Sequence, residues 1–356
     1  MRKYFSIATV LISILFSLPL FAFSGGDGTS ANPYLLANKA DIDEMRDSVN
    51  TRATTWTGNK YFKLTANIPQ PITNMLGSDA RPFRGNFDGA GHSLTLNINL
   101  PTTQHVGLFG RATLCTIKNL TLTGTVSGGN DVAAFCGMIS SSGTIQNCTS
   151  YVNVSGNTYV GGFSGDNQSG TFAKFINCMN LGDVTGNQYV GGICGDTGAG
   201  DSLLDCTNAG KISGHQGVGG IVGGDITDAS NTNKIVSCTN IGEIKGDAGS
   251  LYIGGINGMG DENIYRCVNA GLVSGGSSVG GISGRLQDKT LQRCINAGVV
   301  NGNINVGSIA GSKLGTPIIT DCFYDIQINK YKAVNNQDHS GVTGLPTHLL
   351  MDELVK

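Results

Sequence analysis

The sequence has few charged residues and no concentration of positive charge. Lys, Arg, Asp and Glu make up 13% of the 356 residues, about half of the usual ~25%. The formal net charge is −2, and the densest basic stretch is the short KYK segment at Lys330 to Lys332. A nucleic-acid-binding surface needs a basic patch that contacts phosphates, so we expect no nucleic-acid partner.

Signals for metal or cofactor chemistry are also scarce. The chain contains no His-Glu-x-x-His motif and no Cys-x-x-Cys pair, and its five histidines are scattered. These are the spacings at which zinc sites and metallopeptidases are usually recognised. We therefore predict no metal, no cofactor and no catalytic residue.

A long apolar run occurs at the start of the chain. In MRKYFSIATVLISILFSLPLFAFSGG, Arg2 and Lys3 precede an apolar stretch that ends near Leu20 and is followed by small residues. This order predicts a cleavable secretory signal over residues 1–24. A membrane anchor is the alternative, but the run is short for a ~20-residue span and is interrupted by serines and Pro19. We expect the mature chain to be secreted or displayed at the cell surface, without a transmembrane span.

Glycine, in contrast, is abundant. It occupies 54 positions, about twice its usual ~7% share, which disfavours a helical protein. The hydrophobic share of 39% and the mean hydropathy near zero supply enough apolar surface for a folded core.

The glycines belong to a repeat built around a VGG element. Successive elements lie 26 to 35 residues apart, and a nearly constant step is the signature of a solenoid whose units pack only on their neighbours. Short apolar alternations broken by glycine favour strands over helices, so we predict one β-coil per unit and about eight to ten coils. The element begins at Val106, Val132, Val160, Val190, Val218, Ile253, Val279 and Val306.

Cysteines recur in phase with this repeat, and most lie 12 residues before the next VGG element. We interpret them as a column of buried free thiols, because stacked positions ~4.8 Å apart are too distant for the ~3.5 to 4.5 Å Cβ separation of a disulfide. Export would permit disulfides and stacked thiolates would suit a soft metal, so both remain alternatives. The series comprises Cys148, Cys178, Cys206, Cys238, Cys267, Cys294 and Cys322.

An asparagine follows the cysteine by two residues in five units. On a strand this spacing would place both side chains on the inner face, where stacked amides can hydrogen-bond from coil to coil. A left-handed turn beside the following glycine is the alternative. The residues are Asn180, Asn208, Asn240, Asn269 and Asn296.

The elements VGLFG, VGGFSG, VGGICG and VGGIVG resemble the GLUG repeat of bacterial secreted and surface proteins. GGDGTSANPYLL, YFKLTANI and FRGNFDGAGHSLTLNI resemble the segment that precedes such repeats, and DCFYD with TGLP resembles their ending. The resemblance covers nearly the whole mature chain. It implies a right-handed parallel β-helix outside the cell, in a family that includes adhesin-like proteins and accessory parts of peptidases. The peptidase activity is not implied for this chain, which lacks the zinc motif.

The repeat divides the chain into a signal peptide (1–24), an N-terminal cap with the first coils (25–105), the repeats (106–322) and a C-terminal cap or tail (323–356). NKADIDEMRDSVN predicts a capping helix, with Asn38 as N-cap, Asp41 three residues later and an apolar face. PTHLLMDELV predicts a second short helix. Such caps would cover the open edges of the solenoid.

Three aspartates offer a candidate acidic stripe. Asp166 and Asp196 lie six residues after the start of their VGG elements, and Asp225 lies seven after. A pair of acids two coils apart would suit acid and base catalysis on a polysaccharide, but we favour the interpretation that these are turn aspartates beside glycine.

The function that these patterns favour is non-catalytic adhesion or recognition by an exported bacterial β-solenoid. The partner would be a glycan or a host or surface protein, and we expect a monomer. Two alternatives stay open, which are a polysaccharide-active enzyme on the same scaffold and a structural stalk within a larger surface assembly.

Overall fold

The fold is taken from a computed structural model that describes residues 23–52, 58–168, 172–224, 232–260 and 262–354. Of the predicted signal peptide, only the last two residues fall within these ranges. Asp225 of the predicted acidic stripe lies outside the described residues.

The described chain is an all-β solenoid of about ten turns, made of three sheets whose strand ladders are parallel. Sheet 1 has 11 strands: Tyr34–Leu36, Tyr61–Leu64, Asn86–Asp88, Cys115–Lys118, Gly143–Gln146, Lys174–Ile176, Ser202–Leu204, Lys234–Val236, Asn263–Tyr265, Thr290–Gln292 and Ile318–Thr320. Sheet 2 has eight: Phe109–Ala112, Cys136–Ile139, Ser164–Asn167, Cys194–Asp196, Val222–Gly224, Asn257–Gly260, Ser283–Gln287 and Ala310–Leu314.

Sheet 3 is built from 21 segments of 2 to 11 residues, with up to three of them in each coil. They are Ile68–Ile72, Ser93–Leu100, Thr121–Gly128, Val132–Ala133, Thr149–Ser155, Thr158–Gly161, Met179–Asn180, Val184–Thr185, Gln188–Gly191, Thr207–Asn208, Ile212–Gly219, Thr239–Asn240, Ile244–Gly254, Val268–Asn269, Val273–Ser274, Ser277–Gly280, Ile295–Asn296, Val300–Asn301, Ile304–Gly307, Cys322–Asp325 and Val342–Leu345. The predicted all-β coil architecture and the predicted number of coils are confirmed.

The core lies inside the coils and follows the alternation of each strand. In Ser93–Leu100, for example, Leu94, Leu96 and Ile98 are buried while their neighbours face outward. The VGG valines stack in register from coil to coil, as in the pairing of Val160 with Val190, and all eight anchor residues are buried. Burial on this inner face is the main source of stability, because each apolar side chain removed from water contributes about 1.5 to 3 kcal/mol.

Each coil turns at two corners where one residue has left-handed backbone geometry. Most of these residues are not glycine. One corner precedes the VGG element and the other precedes the cysteine, and φ at these positions lies between 51° and 63°. The first row is His105, Asp131, Tyr159, Tyr189, Gly217, Tyr252, Ser278 and Asn305. The second row is Asn119, Asn147, Asn177, Asp205, Ser237, Arg266, Arg293 and Asp321, and in the first of these coils Leu120 takes the place of the cysteine.

Two helices lie at the ends of the described solenoid. Helix α1 (Lys39–Thr51) begins with the predicted capping box, in which the Asn38 side chain accepts from the Asp41 N–H and the Asp41 carboxylate accepts from the Asn38 N–H. Its buried apolar face contacts the first strands of sheets 1 and 3. Helix α2 (Thr347–Leu354) packs on the last strands of sheet 3. Both predicted helices are confirmed.

Candidate functional site

The asparagines of the repeat form a continuous internal ladder. Each Nδ2 donates to the backbone carbonyl two residues later, and the Nδ2 groups of Asn180, Asn208, Asn240 and Asn269 also donate to Oδ1 of the next asparagine at 2.8 Å. All five side chains are fully buried and none has left-handed backbone geometry. Of the two alternatives raised by the sequence, the stacked amide column is therefore the one found, and it is a structural element.

The cysteines form a second internal column. All ten are buried and free, and the seven repeat cysteines point their thiols at backbone carbonyls, as Cys178 Sγ does toward Ile145 O at 3.4 Å. Burial raises the pKa of the Cys115 and Cys148 thiols to about 12. These two thiols remain protonated, and a protonated thiol is a poor nucleophile and a poor metal ligand. Complete burial gives all ten cysteines the surroundings of a small apolar side chain.

The predicted acidic stripe is only partly formed. Asp166 and Asp196 occupy matching positions on adjacent strands of sheet 2, two residues after the paired Ser164 and Cys194. Asp196 is only 7% exposed and accepts a hydrogen bond from the Thr197 N–H at 2.9 Å. The register then places Gly224, not Asp225, beside Asp196. The row therefore holds two neighbouring aspartates, because the position lies six residues after the anchor in all three coils and Asp225 lies seven after its anchor.

A row of tyrosines borders these aspartates at the first corner. Tyr159 and Tyr189 occupy the left-handed position on consecutive coils, and their rings stack with centroids 5.1 Å apart and planes 15° apart. The next coil has Gly217 at this position, and a Cβ there would lie 3.0 Å from Tyr189 Cδ1. Because Gly217 has no side chain, the Tyr189 ring can pack against the following coil.

The neighbouring carboxylates affect the pKa of both tyrosine hydroxyls. Burial, followed by the negative charges of Asp196 and Asp166, raises the pKa of Tyr159 to about 12. The pKa of Tyr189 is also raised, by burial and by Asp196, and Arg285 opposes that shift. Both hydroxyls stay protonated at physiological pH. Tyr159 is half-buried and can donate a hydrogen bond to a ligand, whereas Tyr189 is only 7% exposed and mainly supports the Tyr159 ring.

Arg285 completes this surface. It lies in the same sheet 2 row as the aspartates, beyond Gly224 and Met259, and its guanidinium carbon stands 4.9 Å above the centre of the Tyr252 ring. Its Nε is buried and has no hydrogen-bond partner in the described part of the chain. We call the set Tyr159, Asp166, Tyr189, Asp196, Tyr252 and Arg285 the tyrosine strip.

A second charged cluster adjoins the strip toward the N-terminus. His105 bridges two carboxylates, with Nδ1 2.7 Å from Asp79 Oδ1 and Nε2 3.1 Å from Asp131 Oδ2. These contacts, with the Asp131 hydrogen bond as the largest cause, raise the pKa of His105. Arg111 extends the cluster to Asp79 and to the Gln168 side chain.

The strip combines the groups that proteins use to hold a sugar. Aromatic rings offer apolar surface with a polar edge, carboxylates accept hydrogen bonds from hydroxyls, and the guanidinium donates them. Reasoning from the sequence included the two aspartates and missed the tyrosines and Arg285. A signal was available, since an aromatic residue directly precedes the VGG element in TYVGG, QYVGG and LYIGG.

Within the described residues no group of three or more His, Cys, Asp or Glu side chains is placed to hold a metal ion. No helix among them is long and apolar enough to cross a membrane.

Two known proteins are similar in sequence to part of this chain. A stretch of 167 residues is 34% identical to halomucin of Haloquadratum walsbyi, covering 42% of this chain and 2% of halomucin. A stretch of 113 residues is 32% identical to a "Putative Gly-rich membrane protein" of Evansella cellulosilytica, covering 29% of this chain and 12% of that protein. The chain thus spans a small part of either relative.

No family model matches the sequence, so membership of the GLUG-repeat family stays a resemblance. A solved structure described as a "putative immunoglobulin A1 protease from Bacteroides ovatus" superposes with a TM-score of 0.49 at 20% identity, over 93% of this chain and 89% of that one. Similarity at this level does not identify an activity for this chain.

Proposed function

We propose that this chain is an exported, non-catalytic bacterial β-solenoid that recognises a glycan at a cell surface. The observation that carries the proposal is the tyrosine strip, in which the stacked Tyr159 and Tyr189 rings border two carboxylates on a rigid corner. The secretory signal expected over residues 1–24 supports export. The proposal also includes the division of the mature chain into an N-terminal cap with the first coils (25–105), the repeats (106–322) and a C-terminal cap or tail (323–356).

Rigidity supports binding at this strip. Tyr159 and Tyr189 lie on consecutive coils whose strands are paired on both sides, so little conformational entropy is lost when a ligand binds. The strip also follows the direction in which coils stack, so a polymeric ligand that lies along it can contact side chains of several coils spaced ~4.8 Å apart.

A polysaccharide-active enzyme is the second candidate, favoured by the placement of Asp166 and Asp196 on adjacent coils. Neighbouring strand positions are ~4.8 Å apart, close to the ~5 to 5.5 Å between the carboxylates of retaining glycosidases. Against it, Asp196 is nearly buried and already hydrogen-bonded to the Thr197 N–H, which leaves it poorly placed to attack a sugar.

The test is a glycan-array screen of the mature chain from Gly25, followed by measurement of reducing-end products for each glycan that binds. We expect saturable binding without product. Tyr159→Ala should weaken binding at least about tenfold, as expected for loss of an aromatic anchor. Tyr151→Ala is the matched control, because Tyr151 is 54% exposed on sheet 3 and lies outside the strip.

Product that accumulates with time, and is abolished by Asp166→Asn, would replace this proposal with the enzyme. Equal binding by Tyr159→Ala and wild type would show that the strip is not the site. Absence of any glycan binding would favour the stalk or a protein ligand.

A further inference from the structure

Two arginines stand side by side on a different edge of the solenoid. Arg266 and Arg293 occupy the corner that precedes the cysteine on consecutive coils, and both are exposed. The Arg266 N–H donates to Gln292 O at 2.9 Å, and the adjacent residues Tyr265 and Gln292 pair in register. The two Cα atoms are therefore held about one coil spacing, ~4.8 Å, apart.

Neither guanidinium has a hydrogen bond or an ion pair in the described structure. Like charges held one coil apart repel each other, and no carboxylate among the described residues forms an ion pair with either guanidinium. The corner row continues as Asp205 and Ser237 on one side and as Asp321 on the other. Asp321 and Glu353 line the groove beside the pair, so the uncompensated positive charge is concentrated toward Arg266.

The arginines separate two cavities. The larger has a volume of about 700 Å³, with a floor of Val268, Ile295 and Phe323 from successive coils and a wall formed by Leu354 of helix α2. The smaller measures about 230 Å³ and is lined by Val236, Tyr265 and Gln292. Both cavities include Arg266 and Arg293 in their lining, so a ligand in either one meets both guanidinium groups.

We propose that Arg266 and Arg293 form a binding site for an acidic oligosaccharide, with the anionic group of one sugar held between the two guanidinium groups. Arginine binds carboxylate and sulfate oxygens through paired N–H donors, which suits a planar or tetrahedral anion. Tyr265 and Phe323 flank the pair and provide apolar surface for the C–H faces of the sugar rings, while Gln292 offers an amide for hydroxyl groups.

The dimensions favour a short saccharide over a folded protein partner. The larger cavity falls within the ~300 to 1,000 Å³ range of ligand pockets, whereas a stable protein interface involves about 20 to 30 residues on each side. Eight residues line this cavity. The site lies on sheets 1 and 3 and shares no residue with the tyrosine strip, so it does not depend on the proposed function.

The experiment measures binding of hexagalacturonate to the mature chain by calorimetry, with maltohexaose as the neutral ligand of the same length. A sulfated hexasaccharide and an acidic hexapeptide are measured in parallel. We expect the acidic saccharides to bind and the neutral one to bind at least about tenfold more weakly, with affinity falling as salt is raised. The ratio between the carboxylated and the sulfated ligand identifies which anion the site prefers.

Arg266→Gln and Arg293→Gln should each lower the affinity for the acidic saccharide about tenfold, and the double variant should abolish it. Arg266→Lys keeps the charge and loses the paired donors, so its affinity should fall between those of wild type and Arg266→Gln. Lys245→Gln is the control, because it removes one exposed positive charge from sheet 3 away from the groove.

Both arginines are exposed, so the variants should keep the wild-type circular dichroism and melting temperature. Unchanged affinity in the double variant, equal affinity for maltohexaose, or binding of the acidic peptide alone would each overturn the assignment. Tyr159→Ala should retain this binding, which separates a failure of this site from a failure of the tyrosine strip.

Discussion

Gly162 lies directly against the Asn180 side chain of its own coil, and a Cβ atom at Gly162 would stand 2.8 Å from the amide Cγ and Oδ1. The same relationship recurs in every coil of the amide ladder, at 2.3 to 2.6 Å. The further pairs are Gly192 with Asn208, Gly220 with Asn240, Gly255 with Asn269, and Gly281 with Asn296. The second glycine of VGG and the asparagine are thus one structural unit.

Coils without the asparagine also lack this glycine. At the N-terminal end of the ladder, Ser150 replaces the asparagine and Ala134 replaces the glycine. At the C-terminal end, Tyr324 replaces the asparagine, since it pairs with Asn296, and Ser308 replaces the glycine. The repeat therefore varies these two positions together, because the amide needs the space that a Cβ would fill.

Gly192→Ala should be strongly destabilising. The new Cβ would meet Gly220 O at 2.2 Å and the Asn208 amide at 2.6 Å, so neither rigid neighbour can move away cheaply. We expect a loss of about 3 kcal/mol, the upper end of the cost of overpacking, measured as a shift in the urea unfolding midpoint. At Gly249 the nearest atom to an added Cβ is His215 Cε1 at 3.5 Å, so Gly249→Ala should leave the midpoint unchanged. Equal midpoints for the two variants would contradict the proposed contact.

Asn240→Ala should remove the centre of the ladder. The side chain donates to Gly242 O at 3.0 Å and to Asn269 Oδ1 at 2.8 Å, and accepts from Asn208 Nδ2 at 2.8 Å. Leaving buried polar groups unpaired costs about 1 to 3 kcal/mol each, so we expect a loss of about 2 to 3 kcal/mol in urea unfolding.

Asn240→Asp should cost at least as much as Asn240→Ala, because a buried carboxylate oxygen would replace the donor that faces Asn269 Oδ1. Asn303→Ala, at an exposed position without a described side-chain contact, serves as the control and should be neutral. If Asn240→Ala and Asn303→Ala gave indistinguishable unfolding curves, the ladder would contribute nothing to the free energy of unfolding.

The ten cysteines should be unreactive in the native protein. All are buried, so the reagent cannot reach them, and burial raises the pKa of Cys115 and Cys148 to about 12, so these two thiols form almost no thiolate at pH 8. We expect no reaction with Ellman's reagent in native buffer, and ten thiols per chain after unfolding in guanidinium without reductant. A count below ten in the unfolded, unreduced protein would reveal disulfides and refute the column of free thiols.

Much of the fold could be predicted from the sequence, because each unit repeats the same inner-face residues at a nearly constant step. The buried valine or isoleucine at each of the eight anchors, and the helix that begins after Asn38, follow from periodicity and capping chemistry alone. These are local properties, which a single sequence displays directly.

The candidate sites were less predictable, because they depend on backbone geometry that residue type disfavours. Tyr159 and Arg266 adopt left-handed φ values of 57° and 55°, which L-residues with large side chains rarely do. The stacking of identical corners imposes this geometry, and it directs both side chains into outward rows. The pairing between coils also limited the prediction of the acidic stripe, since Gly224 rather than Asp225 pairs with Asp196.

His105 should make stability depend on pH near neutrality. Its ring nitrogens contact Asp79 at 2.7 Å and Asp131 at 3.1 Å, and the hydrogen bond to Asp131 is the largest cause of its raised pKa. A group whose folded-state pKa lies above its unfolded value of ~6.5 stabilises the fold fully below pH ~6.5, and this contribution is lost as the pH rises through the folded pKa.

His105→Asn keeps a residue type that tolerates the left-handed φ of 53° but removes the titrating group. The difference in unfolding midpoint between wild type and this variant should therefore be largest at pH 5 and shrink by pH 8.5. The exposed His348 provides the control, since His348→Asn should follow wild type across the range. A difference that stays constant or grows with pH would mean that the charged imidazole does not link the two aspartates.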